Sequence, residues 1–264
     1  MTSPTSTVRD AWSRVAREYR EQILPGFLPA ARTLCRAIAI GPADVVLDVA
    51  CGPGTASFAA HDLGAARTIG VDFASEMVRL AGEEAAGAAR LHFVAGDALA
   101  LPFAAGRFDV LVSSFGLVFA PDPVLAAAEA ARALRSRGRL GLLAWRPDGS
   151  VGAYQEILLR HFQAPPGTHD AFQWGAPAQA RAWLDRFDQI ELLPLDVPFH
   201  AESPADAWRI LRTVMGRIAA GYEALTATAR AHLDAEMGSF FAGFRTADGI
   251  SWMREAVVIR GVRQ

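Results

Sequence analysis

Apolar positions along this chain follow two rhythms, and the exchange between them lays out its organisation. Residues 8 to 24 set Val8, Trp12, Val15, Tyr19 and Ile23 at spacings of three and four, which predicts an amphipathic helix. The run LPGFLP is expected to break it, and a second helix is predicted from about Ala30 to Ile40, stopped by Gly41-Pro42. From there short apolar runs alternate with helical stretches. VVLDVA reads as a buried strand, and GTASFAAHDLG as a helix closed by Gly64. RTIGVD reads as a second strand, followed by the helix SEMVRLAGEEAA with Ser75 at its cap. LHFVAGD gives a third strand, FDVLVSS a fourth, PVLAAAEAARALRSRG a helix and RLGLLAW a fifth strand. Strands alternating with helices at this spacing predict a parallel sheet covered by helices on both faces.

After Trp145 the rhythm changes. Helices are predicted over 151–163 and 177–187, on either side of the loop QAPPGTHDAFQWG. QIELLPLDVPF reads as a sixth strand, two long amphipathic helices follow near 204–221 and 226–244, and REAVVIRGV reads as the last strand. No repeat or low-complexity linker divides the 264 residues. The expectation is one α/β domain over 1–264. It has N-terminal helices in 1–41, a ligand-binding core in 42–146, and the remaining sheet with a helical lid near 200–247 in 147–264.

Composition narrows the classes of partner. A hydrophobic content of 52% with 20% charged residues is globular. A formal charge of −2 gives no reason to expect a nucleic-acid partner, which normally calls for a basic excess. All 26 basic residues are arginines, so neither a P-loop lysine nor a Schiff-base lysine exists; abundant alanine and arginine attribute this to codon usage. Cys35 and Cys51 are too few for a disulfide framework or a metal cluster, which fits a reducing compartment. The start MTSPTSTVRDAWSRVAREYR lacks the apolar run of a signal peptide, and no apolar stretch is long enough to span a bilayer. A cytoplasmic protein without stable membrane insertion is expected; the pattern says nothing of its oligomeric state.

The stretch VLDVACGPGTASFA carries the first candidate chemistry. In an open α/β sheet the ligand sits beyond the carboxyl ends of the strands, and this turn follows the first of them. Gly52 and Gly54 allow close backbone approach, and Pro53 stiffens the loop between them. A dinucleotide fingerprint asks for a third glycine where Ser57 stands, so the turn alone leaves a nucleotide site and a plain tight turn both open. Asp48 lies inside the strand, where a carboxylate needs a compensating donor or cation such as an amino-acid ammonium. Asp72 ends the second strand, where it can accept both hydroxyls of a ribose. Asp97 ends the third, within reach of an adenine amino group. Each of these acids alone also reads as a turn or capping residue. Their register with the glycine turn is harder to explain as capping.

VLDVACGPGTAS, GVDFASEMVRLA, GDALALPF, FDVLVSSFGLVFAPDP and ARALRSRGRLGLLAW together resemble the successive motifs of class I S-adenosylmethionine-dependent methyltransferases. The similarity points in particular to the branch holding the ubiquinone and menaquinone biosynthesis C-methyltransferases and many small-molecule enzymes, and covers about residues 8 to 146. It implies a doubly wound, seven-stranded, mostly parallel sheet with the last strand antiparallel. It also implies roles: Asp48, Ala50, Gly52 and Gly54 around the methionine part of S-adenosylmethionine; Asp72 on the ribose; Phe73 and Met77 beside the adenine. Asp97 would take the adenine amino group and the Ala98 amide a ring nitrogen. Ser113, Ser114 and Phe115 would line the cofactor, and Tyr19 would close over its methionine end, a tyrosine that reads equally as a packing residue. S-adenosylhomocysteine would be the product. Where relatives commonly carry histidine after the fourth strand, Val118 and Phe119 stand here, and of the usual proline-glycine-glycine turn only Gly138 is kept.

Such chemistry needs positioning and water exclusion, and a base only if the acceptor must lose a proton. No metal is expected, since Ser113 and Ser114 occupy the place where metal-assisted relatives carry acidic ligands. His161, His169, His200, Tyr154, Tyr222 and Glu156 are the available bases, His200 first among them because it ends the sixth strand at the edge of the lid. Trp208, Leu211, Met215, Ile218, Leu233, Met237, Phe240, Phe241 and Phe244 chiefly pack the lid helices. The face left over, with Phe115, Val118 and Phe119, predicts a small apolar or aromatic acceptor. Two alternatives stay open: an NAD(P)-dependent oxidoreductase, which leaves Asp48 and Asp97 unexplained, and an S-adenosylmethionine-binding protein that does not catalyse.

Overall fold

The computed structural model describes residues 4–162 and 170–264, with residues 4–7 described by their backbone only. His169 lies outside the described residues. In chain order, α1 (Pro4–Gln22) and α2 (Leu24–Ala37) lead into β1 (Val45–Val49), α3 (Thr55–Asp62), β2 (Arg67–Asp72), α4 (Ser75–Glu84), β3 (Leu91–Ala95), β4 (Phe108–Ser114), α5 (Pro123–Ala133) and β5 (Leu134–Trp145). There follow α6 (Ser150–His161), α7 (Pro177–Trp183), β6 (Phe187–Ala201), α8 (Pro204–Val214), α9 (Gly216–Ala224), α10 (Ala227–Ala242), β7 (Arg245–Thr246) and β8 (Gly249–Arg263).

The main strands hydrogen-bond in the order β3-β2-β1-β4-β5-β8-β6, with β7 a two-residue partner of β8. β1 to β5 are parallel, and β8 runs antiparallel to both β5 and β6. This is the expected doubly wound sheet with its last strand reversed. β1 is central because it is apolar on both faces except at Asp48, the pattern of a strand covered on both sides. Its alternate residues feed two cores. Val46, with Val110, Val112 and Leu143, joins the face packed by α2, α3, α6, α8 and α10. Leu47 and Val49, with Leu111 and Leu142, join the face packed by α5 and α7.

Three elements differ from the sequence expectation. The first helix does end before LPGFLP, at Gln22, but the second starts within that run and not near Ala30: α2 begins at Leu24, with Pro25 in its first turn, where a missing N–H costs nothing. The helix expected through Gly138 ends at Ala133, and 134–138 join β5 as an irregular extension. Leu134 is fully buried opposite Phe108, so core burial outweighs the helix propensity of the segment. The helix expected over 204–221 divides at Met215. There Gly216 meets α1 so closely that a Cβ on it would lie 3.1 Å from the Ala11 carbonyl carbon and the Trp12 nitrogen. The break lets α9 lie along α1, which also contacts α4 and α8. Among the described residues, no helix is long and apolar enough to cross a membrane.

Candidate functional site

Two turns meet where the winding of the sheet reverses, at the carboxyl ends of β1 and β4. After β1, Ala50 (φ 52°), Gly52 (φ 54°) and Gly54 (φ 97°) are all left-handed, and Phe115 after β4 has φ 59°. For alanine and phenylalanine this conformation is strained by about 1–2 kcal/mol and needs its surroundings to hold it. They do: a Cβ on Gly116 would lie 2.3 Å from the Ala50 carbonyl oxygen, so the turns press backbone to backbone. The Phe115 ring also stacks on Trp145, with centroids 4.1 Å apart and planes 19° apart. Gly54 caps α3 and leaves room for Phe58 and Phe93, each of which would come within 2.9 Å of a Cβ there.

Asp48 is 1% exposed. The Ser57 hydroxyl donates to its Oδ2 at 2.6 Å, while Oδ1 is buried with no partner. Ser57 is therefore no failed third glycine but the donor that anchors the carboxyl group. Burial pushes the Asp48 pKa up to about 7, with the Ser57 hydrogen bonds pulling it down and the Asp72 charge adding to the rise. The neighbouring thiols of Cys35 and Cys51 are pushed up by burial first and by the Asp48 charge second, which makes them poor nucleophiles.

Asp72 ties two strand ends together. Its Oδ2 accepts the Gly52 N–H and its Oδ1 the Ala74 N–H, each at 2.8 Å. Burial raises its pKa to about 6 against these main-chain donors. Asp97, half-buried at the end of β3, accepts the Leu99 N–H at 2.9 Å, and Ala98 packs partly buried beside it. Tyr19, like Phe73, packs against the cluster of Ala16, Ala74, Met77 and Leu80, edge-on to Trp12 at 5.6 Å. Burial pushes its phenol well above the ordinary value, against the Arg254 charge, and α1 packs on α4, the helix that follows β2.

Ser113 is taken by structure: its Oγ accepts the Leu117 N–H at 2.8 Å and shapes the turn after β4. Ser114 Oγ, by contrast, is buried without a partner. Among the described candidate bases, Glu156 is exposed on α6. His161 Nε2 lies 3.4 Å from Glu236. The Tyr222 hydroxyl donates to Asp234 at 2.8 Å, which also accepts the Trp208 indole at 2.6 Å, a pin between α8, α9 and α10. His200 is exposed opposite Ser251 on the β6–β8 ribbon. The end of β5 is level with Leu195, and five further residues carry His200 roughly 16 Å along the strand. It shares a groove with Glu202, Asp206, Thr246 and Asp248, none of them in the strand-end row. His200, the first choice among the bases, thus stands in solvent on the ribbon, away from the strand-end row. Tyr154 turns inward, with its hydroxyl buried and unpartnered.

One residue escaped the sequence reading. Arg254 is 5% exposed on β8 and donates to the carbonyls of Val197 and Pro198, both at 3.3 Å. The rings of Phe27, Trp145, Phe199 and Trp252 surround its guanidinium at 5.0–5.9 Å. The signal was available, because Arg254 interrupts an alternating apolar series of Ile250, Trp252, Ala256 and Val258. Among the described residues, no group of three or more His, Cys, Asp and Glu side chains stands together as metal ligands.

Residues 46–138 match the methyltransferase domain family. The chain is 33% identical over 176 residues to an uncharacterized protein of Mycobacterium tuberculosis, covering 66% of this chain and 63% of that one. It is 37% identical over 144 residues to nocamycin O-methyltransferase of Saccharothrix syringae, covering 53% and 51%. It is also 37% identical over 158 residues to demethylmenaquinone methyltransferase of Mycolicibacterium paratuberculosis, covering 57% and 65%. The chain thus spans less than two thirds of the length of these relatives. A putative methyltransferase of Bacillus halodurans shares the fold at a TM-score of 0.63 and 18% identity, over 89% of this chain and 98% of that one. Residues 46–138 thus match a methyltransferase domain, and the chain shares a Rossmann-like fold with solved methyltransferases.

Proposed function

We propose that the protein transfers a methyl group from S-adenosylmethionine to a small-molecule acceptor and releases S-adenosylhomocysteine. The observation that carries this reading is the buried Asp48 with one oxygen unpartnered, set behind a left-handed turn at the reversal point of a methyltransferase fold. An orphaned carboxylate oxygen there fits an ammonium, and the cofactor's methionine end has one. The remaining assignments follow the strand ends. Ala50, Gly52 and Gly54 offer main chain to the methionine part, and Asp72 accepts ribose hydroxyls in addition to its two main-chain donors. Phe73 and Met77 pack on the adenine, which Asp97 and the Ala98 amide hydrogen-bond. Ser114, with its free hydroxyl, and Phe115 line the site; Ser113 serves through its backbone, and Tyr19 closes over the cofactor's methionine end.

When bound, the cofactor would supply a methyl group activated by its sulfonium, with the sulfur as leaving group for in-line transfer to the acceptor. The chain's own part is to hold the acceptor in line and exclude water, the work of α1, α6 and the lid helices. The likeness to nocamycin O-methyltransferase and demethylmenaquinone methyltransferase supports a small acceptor of the secondary-metabolite or quinone kind, handled in the cytoplasm. Cys35 and Cys51, both free and buried, accord with that compartment.

Thermal unfolding in the presence of S-adenosylhomocysteine, NAD and NADP tests the reading. At about a hundred times its Kd a ligand stabilises the native state by roughly 2.7 kcal/mol. A shift with S-adenosylhomocysteine alone is expected. A shift with a nicotinamide nucleotide alone would overturn the proposal. Transfer of radioactive methyl from the cofactor to pooled small metabolites then separates an enzyme from a protein that only binds.

A further inference from the structure

A buried cation without an anion is the least explained feature of the molecule. Arg254 stands on the face of β8 where alternation calls for an apolar side chain, inside the larger core. Among the described residues no carboxylate forms an ion pair with it, and its Nη1 donates to none of them. Four aromatic faces and two long carbonyl bonds soften the burial of this charge without neutralising it. Burial lowers its pKa only to about 10, so the cation persists at neutral pH.

Its neighbours make the place a site. The Tyr154 hydroxyl is buried, unpartnered and within the electrostatic reach of Arg254. Helix α6 holds Tyr154 firmly, because its N-terminus is bound by Glu255, which accepts the Ser150 N–H at 2.9 Å and the Ser150 hydroxyl at 2.6 Å. The Trp145 ring beneath the guanidinium is the one on which Phe115 stacks, so a single ring separates Arg254 from the turn that ends β4. Tyr19 packs against both the larger core that holds Phe27, Trp145 and Tyr154 and the small cluster of Ala74 and Met77 beyond β2, which joins this place to the proposed cofactor row. A sulfonium brought to that row adds a second positive charge and makes an unpaired guanidinium costlier still.

We propose that Arg254 and the Tyr154 hydroxyl seat an anionic oxygen of the methyl acceptor, so that the acceptor is an organic acid with a carboxylate or enolate oxygen on a largely apolar frame. This rests on the reading of the protein as a small-molecule methyltransferase, and it revises the expectation of a purely apolar acceptor. The aromatic walls take the frame, and the guanidinium takes the charge.

Isothermal titration separates the two readings. The protein is first titrated with S-adenosylhomocysteine. The saturated protein is then titrated with matched acids and amides: 2-naphthoate and 2-naphthamide, 3-phenylpropanoate and its amide, octanoate and octanamide. At least one acid is expected to bind about tenfold or more tighter than its amide, the scale of one charge-assisted hydrogen bond. Arg254→Met should erase that preference while the Kd for S-adenosylhomocysteine changes less than about twofold, and Arg254→Lys should keep part of it. Tyr154→Phe, which removes one oxygen and keeps the ring, should weaken the acid a few-fold and leave the amide unchanged; it serves if Arg254→Met does not fold. An Arg254 that only braced β6 against β8 would alter stability in these variants but not the ratio of acid to amide. Equal binding of acid and amide, or no binding of either to protein that holds S-adenosylhomocysteine, overturns the proposal. Failure to hold S-adenosylhomocysteine overturns the reading of the cofactor site instead.

Discussion

Asp48→Asn removes a charge that the unliganded fold holds at a loss, and its effect can be worked through. Burial raises the carboxyl from the ordinary 3.8 to about 7. The folded state therefore binds this proton more tightly than the unfolded chain. The associated stability is complete below pH 3.8 and is lost as pH rises through about 7. Three units correspond to about 4 kcal/mol in full, of which about 3 kcal/mol falls between pH 5 and pH 8.5. An asparagine keeps an oxygen for the Ser57 hydroxyl and has no charge to bury. Whatever pH-independent penalty its amide carries is the same at both ends of the range. The stability of Asp48→Asn relative to the parent should accordingly swing by about 3 kcal/mol in the variant's favour from pH 5 to pH 8.5. Urea denaturation at the two pH values reads this directly, and Asp72, present in both proteins, largely cancels. Saturating S-adenosylhomocysteine should flatten the parent's slope, because its ammonium favours the ionised carboxylate. The variant should bind that ligand about tenfold or more weakly. A parallel pH dependence in the two proteins, or a variant that loses most at alkaline pH, would show that Asp48 is already well paired as an anion and would refute the argument from its orphaned oxygen.

Two further substitutions probe the frame. Gly116→Ala places a Cβ where only 2.3 Å separates it from the Ala50 carbonyl oxygen, so the two turns must part. A loss of about 2–4 kcal/mol and of S-adenosylhomocysteine binding is expected in thermal and calorimetric assays, and a variant of parental stability would mean the turns can separate freely. His200→Ala, on the exposed ribbon, should change stability by less than about 0.5 kcal/mol and leave S-adenosylhomocysteine affinity and methyl transfer intact; a large fall in turnover alone would restore it as a base.

The parts of the fold that the sequence announced are those where local and global preferences agree. VVLDV and RTIGVD are strands by composition and by burial, and Asp72, which ends the second, falls at the carboxyl edge because the topology leaves it no other place. The misread parts are those where a distant partner overrides a local preference. Leu134 is drawn into β5 by Phe108, and Gly216 breaks a helix only because α1 passes close by, a fact no window around 216 contains. Ser57 shows the limit of motif matching. Set against a glycine fingerprint it counts as a mismatch, while in the structure it is the donor that makes a buried carboxylate tolerable. The free hydroxyl of Ser114 and the consumed one of Ser113 could not be told apart in SS, since the difference lies in the Leu117 N–H. Arg254 was legible as a break in alternation, but its solitude became visible only when the surrounding elements were assembled.

The rings that box Arg254 have a further consequence. Phe27, Trp145, Phe199 and Trp252, like Tyr19 and Tyr154, all fall outside residues 46–138, whereas Asp48, the glycine turn, Asp72, Asp97 and the β4 turn fall inside. On the proposed reading the matched portion holds the donor, while the flanks add Tyr19 over it and supply the seat of the acceptor. Mutation in the second can change taste without disturbing trade in the first. Kinship measured over the matched core is thus a guide to the donor, and sorting relatives by acceptor calls for comparing the flanks: the residues that stand where Phe27, Tyr154, Phe199 and Arg254 stand here.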